Sequence, residues 1–191
     1  MTIRKGEPWG VEVPRPTGLT VVPDDRAAAA TVEPVGLAGG DLFRSLGSPV
    51  PRDPVQRVPI DGLDVRLDGG AEQSAIAHVI VRRSWWRGTV VACMNVDRVG
   101  EWNVAPRAHP NDGLVDVIEC SPAMSVRDRW AAKRRLLQGT HLPHPALAVA
   151  RVAHRSWTFD RPYRVWIDGV EVGSAHHVDV RVAPDRHTVL F

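Results

Sequence analysis

The chain has 191 residues, 43% of them hydrophobic, with 24 Lys and Arg against 22 Asp and Glu for a formal charge of +2. That length and apolar content can close a core without staples and exclude a disordered chain, while the near balance of charge gives no case for nucleic acid as a partner. Two cysteines, Cys93 and Cys120, lie inside apolar runs and read as small buried thiols in a reducing compartment rather than as a disulfide framework.

The opening, MTIRKGEPWG, has no apolar signal core, and no run approaches the roughly 18 apolar residues of a spanning helix, so a cytoplasmic location is expected. Sixteen prolines and sixteen glycines cut the sequence into short pieces, the punctuation of strands and turns. Pro8, Pro14 and Pro16 predict an extended arm, with Trp9 as its packing anchor. Residues 19–22 predict a short strand. Asp24 or Asp25 then caps a short helix through the alanines at 27–30 to about Glu33, where Pro34 stops it. A second short helix is predicted over residues 41–46, opened by Gly39 and Gly40 and closed by Gly47, and the segment SPVPRDP follows as a linker.

Beyond Pro59 the pattern becomes alternation. Ile60, Leu63, Val65 and Leu67 are followed by the turn Asp68-Gly69-Gly70 and by Ile76, His78 and Ile80. Trp85 and Trp86 read as strand neighbours pointing to opposite faces, so that one of them is exposed. Residues 89–95 and 113–120 continue the strands, the latter apolar on both faces. One longer helix is predicted from the cap Ser125 to about Leu137, and at about 100° per residue Val126, Trp130 and Leu137 form the stripe expected to face the core. Alternation returns at Tyr163-Val165-Ile167 and Val178-Val180-Val182, with a wet opposite face. The fold class is therefore mainly β (α+β), with a strand-rich domain over 51–191 behind a segment of residues 1–50.

Three segments carry candidate chemistry. PVGLAGGDLFRSLG at 34–47 has a glycine turn whose exposed N–H groups could cradle a phosphate, although a plain strand-to-helix connection explains the same residues. Asn95 and the later run HPNDGLVDVIEC contain the turn Asn111-Asp112-Gly113, which on its own reads as a hairpin turn. VWIDGVEVG at 165–173 is a second Asp-Gly turn between strands. His141, His144, His176 and His177 fit no zinc spacing and read as exposed or turn residues. Between residues 124 and 164, nine Arg and Lys residues face only Asp128 and Asp160, a local excess of +7 that suits either an anionic membrane surface or an ordinary solvated face.

In this order the segments resemble the lipid kinase family that includes diacylglycerol, sphingosine and ceramide kinases and their bacterial relatives. PVGLAGGDLFRSLG is similar to the family's PLGTGNDFARSLG, APRAHPNDGLVDV to its Pro-containing run ending in DGLLD, and GTHLPHP and the closing IDG fall in the family's order too. The resemblance spans about residues 34–191 and implies the family's C-terminal β-sandwich, with a few short helices, behind a vestigial N-terminal α/β segment. It implies a nucleotide near Gly39, Gly40 and Asp41, a general base directly after the Asp168-Gly169 turn, and a structural Mg²⁺ at Asp112 with the carbonyls of His109 and Leu114.

Departures from the family pattern are as informative. Relatives bind ATP through a GGDGT loop, whereas only 33 residues precede Pro34 and the nearest remnant, Val22-Pro23-Asp24-Asp25-Arg26, has no glycine. ATP binding is not expected. Val170 occupies the position of the family's catalytic carboxylate, and Glu171, one residue along, points to the opposite face of a strand unless a bulge intervenes. The expectation is a non-catalytic relative that binds a lipid, an anionic membrane surface or a partner protein, or forms a homo-oligomer. The alternatives are an active kinase whose nucleotide site another chain completes, with Asp168 or Glu171 as base, and a purely structural module.

Overall fold

The computed structural model describes residues 8–50 and 52–191. Its first part is assembled from five short elements: β1 (Val11–Val13), β2 (Val21–Val22), α1 (Asp25–Ala29), β3 (Gly36–Leu37) and α2 (Asp41–Ser45). Strands β2 and β3 pair in parallel on either side of α1, a minimal βαβ unit. Asp24 is the cap, accepting from the Ala27 N–H at 2.8 Å. The helix ends at Ala30 instead of Glu33, because the Thr31 hydroxyl donates back to the Ala27 carbonyl at 2.8 Å and the β-branched pair Thr31-Val32 favours extended backbone.

The remaining elements are β4 (Val55–Leu67), β5 (Gln73–Ala75), β6 (His78–Arg82), β7 (Val90–Met94), β8 (Arg98–Val99), β9 (Trp102–Asn103), β10 (Val115–Cys120), α3 (Val126–Leu136), β11 (Leu147–Val152), β12 (His154–Ile167) and β13 (Val170–Leu190). Hydrogen bonds join them in the order β1-β4-β13-β12-β6-β7-β10-β11, with β5 beside β4 and every neighbour antiparallel. Leu63 and Val65 of β4 share one buried cluster with Val79 and Val81 of β6, Cys93 of β7 and Val115 and Val117 of β10. Strands far apart in the hydrogen-bonded order therefore face each other across a common core, which makes the sheet a sandwich. Tyr163, Val165, Ile167, Val178, Val180 and Val182 all enter that core, as their alternation predicts.

A second cluster crosses residue 50. Val22, Ala28, Leu37 and Leu42 pack with Val58, Ile60, Ile76 and Val189, and the Leu190 N–H donates to the Val35 carbonyl at 2.9 Å. Trp9 joins as an anchor, its indole N–H on the Pro59 carbonyl at 3.2 Å. The outer face of β6, β7 and β10 carries a third cluster, including Ile80, Ala92 and Ile118.

Helix α3 starts at its expected cap, with the Ser125 hydroxyl accepting from the Asp128 N–H at 3.1 Å, but its rotation is opposite to expectation. Val126, Trp130 and Leu137 are 50%, 53% and 57% exposed, and the buried residue is Arg129. Its guanidinium donates to the carbonyls of Trp85 (3.2 Å), Gly88 (2.5 Å) and Ser121 (2.8 Å), and its Nε donates to Met124 (3.2 Å). Donation to four carbonyls fixes the helix, and its apolar stripe is left outside. Trp85 and Trp86 differ from expectation as well: they lie in a bend between β6 and β7, and both are exposed, by 40% and 37%.

Candidate functional site

The Asp168-Gly169 turn joins β12 to β13 as a two-residue loop, Ile167 pairing with Val170. Both residues have positive φ, 46° and 82°, the backbone that an Asp-Gly hairpin supplies at little cost. The turn sends the Asp168 carboxylate to the start of β6, where Oδ2 accepts from Ile76 N (2.9 Å) and Oδ1 from Ala77 N (2.9 Å) and His78 N (3.0 Å). His78 then donates from Nε2 to Asp41 Oδ2 at 2.9 Å, since a carboxylate can only accept. Asp41 Oδ1 takes the N–H of Gly100 (2.8 Å) and Nη1 of Arg44 (2.9 Å).

Asp25 completes the cluster. Its carboxylate accepts from Asp41 N at 2.5 Å and Leu42 N at 3.2 Å. Gly40 has φ of 99°, and a Cβ there would strike this carboxylate, while a Cβ on Gly39 would lie 2.6 Å from the Pro23 carbonyl. The Gly39-Gly40-Asp41 turn thus closes around an anion that the chain itself provides. The glycine-free segment Val22-Pro23-Asp24-Asp25-Arg26 supplies this carboxyl.

Burial pushes the Asp25 carboxyl up to about 7, against the two N–H bonds that favour its charge. Burial also raises Asp168, opposed by the charge of His78 and by the three amides. Burial acts to lower His78, but the Asp41 hydrogen bond and the charge of Asp168 outweigh it and raise it. For Asp41, burial is overcome by the bonds from His78 and Gly100, which hold it below the usual carboxylate range. Asp168→Asn keeps the left-handed turn, yet its amide NH₂ opposes the Ile76 N–H. We expect it to cost roughly 2 kcal/mol in urea unfolding; a cost near zero would show that the carboxylate does not organise the start of β6.

Glu171 is not brought to this cluster. It pairs with Trp166, and the register shift that follows sets Val165 opposite Gly173. The extra residue is Val172, so the bulge comes after Glu171 and leaves it on the face opposite Val170. The Glu171 carboxylate lies half exposed, 3.8 Å from Arg164 Nη1.

The Asp112 turn sits apart from the cluster, and it precedes a strand that pairs with β7 and β11 rather than closing a hairpin. Asp112 Oδ1 accepts from Leu114 N at 3.0 Å, and Oδ2 pairs with Arg151, whose Nε also reaches Asp116 at 3.4 Å. His109 accepts the Asn111 N–H on Nδ1 at 3.2 Å and meets the Trp9 ring edge-on. Arg151 supplies the positive charge that Mg²⁺ would bring to Asp112. The ion implied at this turn would use one carboxylate and the carbonyls of His109 and Leu114, and Arg151 already engages that carboxylate, so an ion there would compete with the guanidinium. Asp61 holds the turn from beneath, taking the N–H groups of Gly113 (2.8 Å) and Asp185 (2.9 Å), while Asn95 donates to the Asp61 and Ile76 carbonyls, each at 2.8 Å.

On the outer face of the sheet, α3 covers an apolar cavity of about 230 Å³. Ile80, Val90, Ala92 and Ile118 form its floor and Ala132 and Leu136 its cover, with Trp85, Trp86, Trp102 and Lys133 also lining it. His141 borders it too. This histidine lies in the loop after α3 and is buried there rather than exposed, the other alternative, and its Nε2 lies 3.0 Å from the Val104 carbonyl. Burial keeps it below the ordinary histidine value.

A sheet folded over a common core, an Asp-Gly turn clamped to β6 and a glycine turn beside it agree with the family match. The model for the YegS C-terminal NAD kinase beta sandwich-like domain matches residues 57–191. The chain belongs to that family. Among solved structures this YegS-type chain is similar to a candidate diacylglycerol kinase from Bacillus anthracis str. Sterne, with a TM-score of 0.63, 12% identity, and 87% of this chain and 72% of that one covered. A second candidate diacylglycerol kinase from the same organism gives a TM-score of 0.60 at 13% identity, covering 91% and 76%. A third structure, of a diacylglycerol kinase, gives 0.53 at 11%, covering 83% and 66%. At such identities the likeness concerns the fold, which is that of a lipid-kinase C-terminal domain. No curated protein matches the sequence.

His78, Asp61 and Arg129 are the functional-site and framework residues that sequence reading passed over. Each is a charged or ionisable residue within or beside an apolar run, a pattern that signals a buried partner without saying which one.

Proposed function

We propose that this YegS-type chain binds a single hydrocarbon chain in the cavity beneath α3 and transfers no phosphate itself. The observation that carries the reading is the cavity, apolar on its floor and under its cover and ringed at the side by three tryptophans. At about 230 Å³ it lies just below the usual range of ligand cavities, roughly 300–1,000 Å³, which suits one acyl or sphingoid tail rather than two. Two features support the absence of phosphotransfer. Asp25 occupies the Asp41 and Leu42 N–H groups that a phosphate would need. Val170, a side chain that accepts no proton, follows the Asp-Gly turn, and Glu171 is turned toward Arg164.

One observation favours the kinase alternative: Asp25, Asp41, His78 and Asp168 converge at one place, where a second chain could add a nucleotide. The two readings separate in one experiment. A fluorescent fatty acid is titrated against the protein and against Ala132→Trp, which fills the cavity from its cover; binding is expected to weaken at least about tenfold in the variant. In parallel the protein is incubated with diacylglycerol, MgATP and labelled phosphate, and no transfer is expected. Equal binding by both proteins would refute the cavity as the site. Transfer that disappears in Asp168→Asn would establish the kinase.

No helix among the described residues is long and apolar enough to cross a membrane. A cytoplasmic protein that meets its lipid at the membrane surface fits this reading.

A further inference from the structure

We propose that the outward face of α3, with the Trp85-Trp86 bend, docks on an anionic lipid bilayer and sets the cavity mouth at the headgroup level; this rests on the lipid-binding reading above. Val126, Trp130 and Leu137 recur at helical spacing on the solvent side, about half exposed each, although an apolar stripe of this kind normally faces a core. The structure gives them no cover. Trp85 and Trp86 extend the same surface to the cavity lining, bridged by Lys133, whose Nζ lies 5.5 Å from the Trp86 ring and 5.4 Å from Trp102.

Charge selects the occupant. Arg127, Lys133, Arg134 and Arg135 are exposed on the helix against Asp128 alone, and Asp128 is held by the Ser125 hydroxyl at 2.7 Å. The Arg134 guanidinium lies 4.8 Å over the Trp130 ring, so the most exposed aromatic carries a cation on its face. Four exposed cations against one carboxylate, with Val126, Trp130 and Leu137 between them, match the composition of an interfacial helix on anionic lipid, and their net charge complements the headgroups. With 11 residues, α3 is too short to span and lies along the surface.

The test is sedimentation with vesicles of phosphatidylcholine alone and of phosphatidylcholine with roughly 30% phosphatidylglycerol; binding to the anionic vesicles is expected to be at least about tenfold tighter. Raising salt from about 0.1 to 0.5 M should reverse most of that preference. Trp130→Glu and the double variant Arg134→Glu, Arg135→Glu change exposed side chains only, so circular dichroism should show the fold retained while anionic-vesicle binding falls roughly tenfold in each. Fatty acid uptake from solution should be unchanged in both, because neither touches the cavity. Docking is overturned if the parent ignores phosphatidylglycerol, if the folded variants bind like the parent, or if the parent is a dimer that Trp130→Glu dissociates. Loss of fatty acid binding in the parent, with vesicle binding intact, would refute the cavity reading and leave docking standing.

Discussion

Arg129→Ala is expected to lower the unfolding free energy by about 3 kcal/mol, read as a fall in the urea midpoint at unchanged slope. The size follows from what the guanidinium satisfies. Its donors meet four carbonyls drawn from two separate places, Trp85 and Gly88 in the bend after β6 and Ser121 and Met124 in the turn before α3. Among the described residues the Arg129 side chain bonds to carbonyls, so removal leaves carbonyl oxygens short of a donor at a largely buried position rather than an opposing charge. Arg129→Lys should recover part of the loss, because one ammonium on a flexible stem cannot reach both segments with the same fork. The same variants should free the bend that forms the side of the cavity and weaken fatty acid binding with it. A cost below about 1 kcal/mol for the alanine variant would mean that water replaces the guanidinium freely, and the account of how α3 is oriented would fail.

A second large effect concerns pH. The Asp25 carboxyl rises from 3.8 to about 7 on folding, so the folded state holds its proton more tightly than the unfolded state does. Its contribution is complete below pH 4 and is lost as pH climbs to about 7, and at about 1.4 kcal/mol per pH unit this amounts to up to roughly 4 kcal/mol. His78 is raised as well, so its contribution is present below its unfolded value and lost as pH rises through the folded one. His109, His141 and His187 are lowered by burial and act in the opposite sense, losing stability as the solution is acidified. The quantity to measure is therefore the difference between parent and Asp25→Asn across pH 4–8. An asparagine cannot ionise, so the parent should be the more stable at pH 4 and lose that advantage steadily toward pH 8. Parallel profiles would show that Asp25 keeps an ordinary pKa and that its seat on the Asp41 and Leu42 amides costs nothing.

Both predictions bear on one functional point. The glycine turn at Gly39 and Gly40, whose residues suit a phosphate cradle, is packed around the Asp25 carboxyl, and the apolar side of the sandwich is lined and roofed. Substitutions at Asp25 and at Ala132 should accordingly separate: the first alters stability against pH, the second alters ligand binding.

Strand content, the Asp-Gly turns, a cap at Asp24 or Asp25, the cap at Ser125 and the alternation of Tyr163-Val165-Ile167 were legible in the chain because they depend on neighbours two to four residues away. The order of PVGLAGGDLFRSLG, the NDG turn and the closing IDG was legible as a family pattern, and residues 57–191 carry the match. Where the reading failed, long-range polar demands had overridden local pattern. Helix periodicity identified the stripe of Val126, Trp130 and Leu137 correctly but could not give its direction, which the bonds from Arg129 to the distant carbonyls of Trp85 and Gly88 decide. The bulge at Val172 was foreseeable as a possibility, and only the pairing of Trp166 with Glu171 fixed which side of it Glu171 occupies. Local composition thus determined that this is a β-rich chain punctuated by Asp-Gly turns. Tertiary structure alone decided that Asp25 fills the glycine turn and that a cavity opens under α3, because both depend on hydrogen bonds that join residues sixteen to more than forty positions apart.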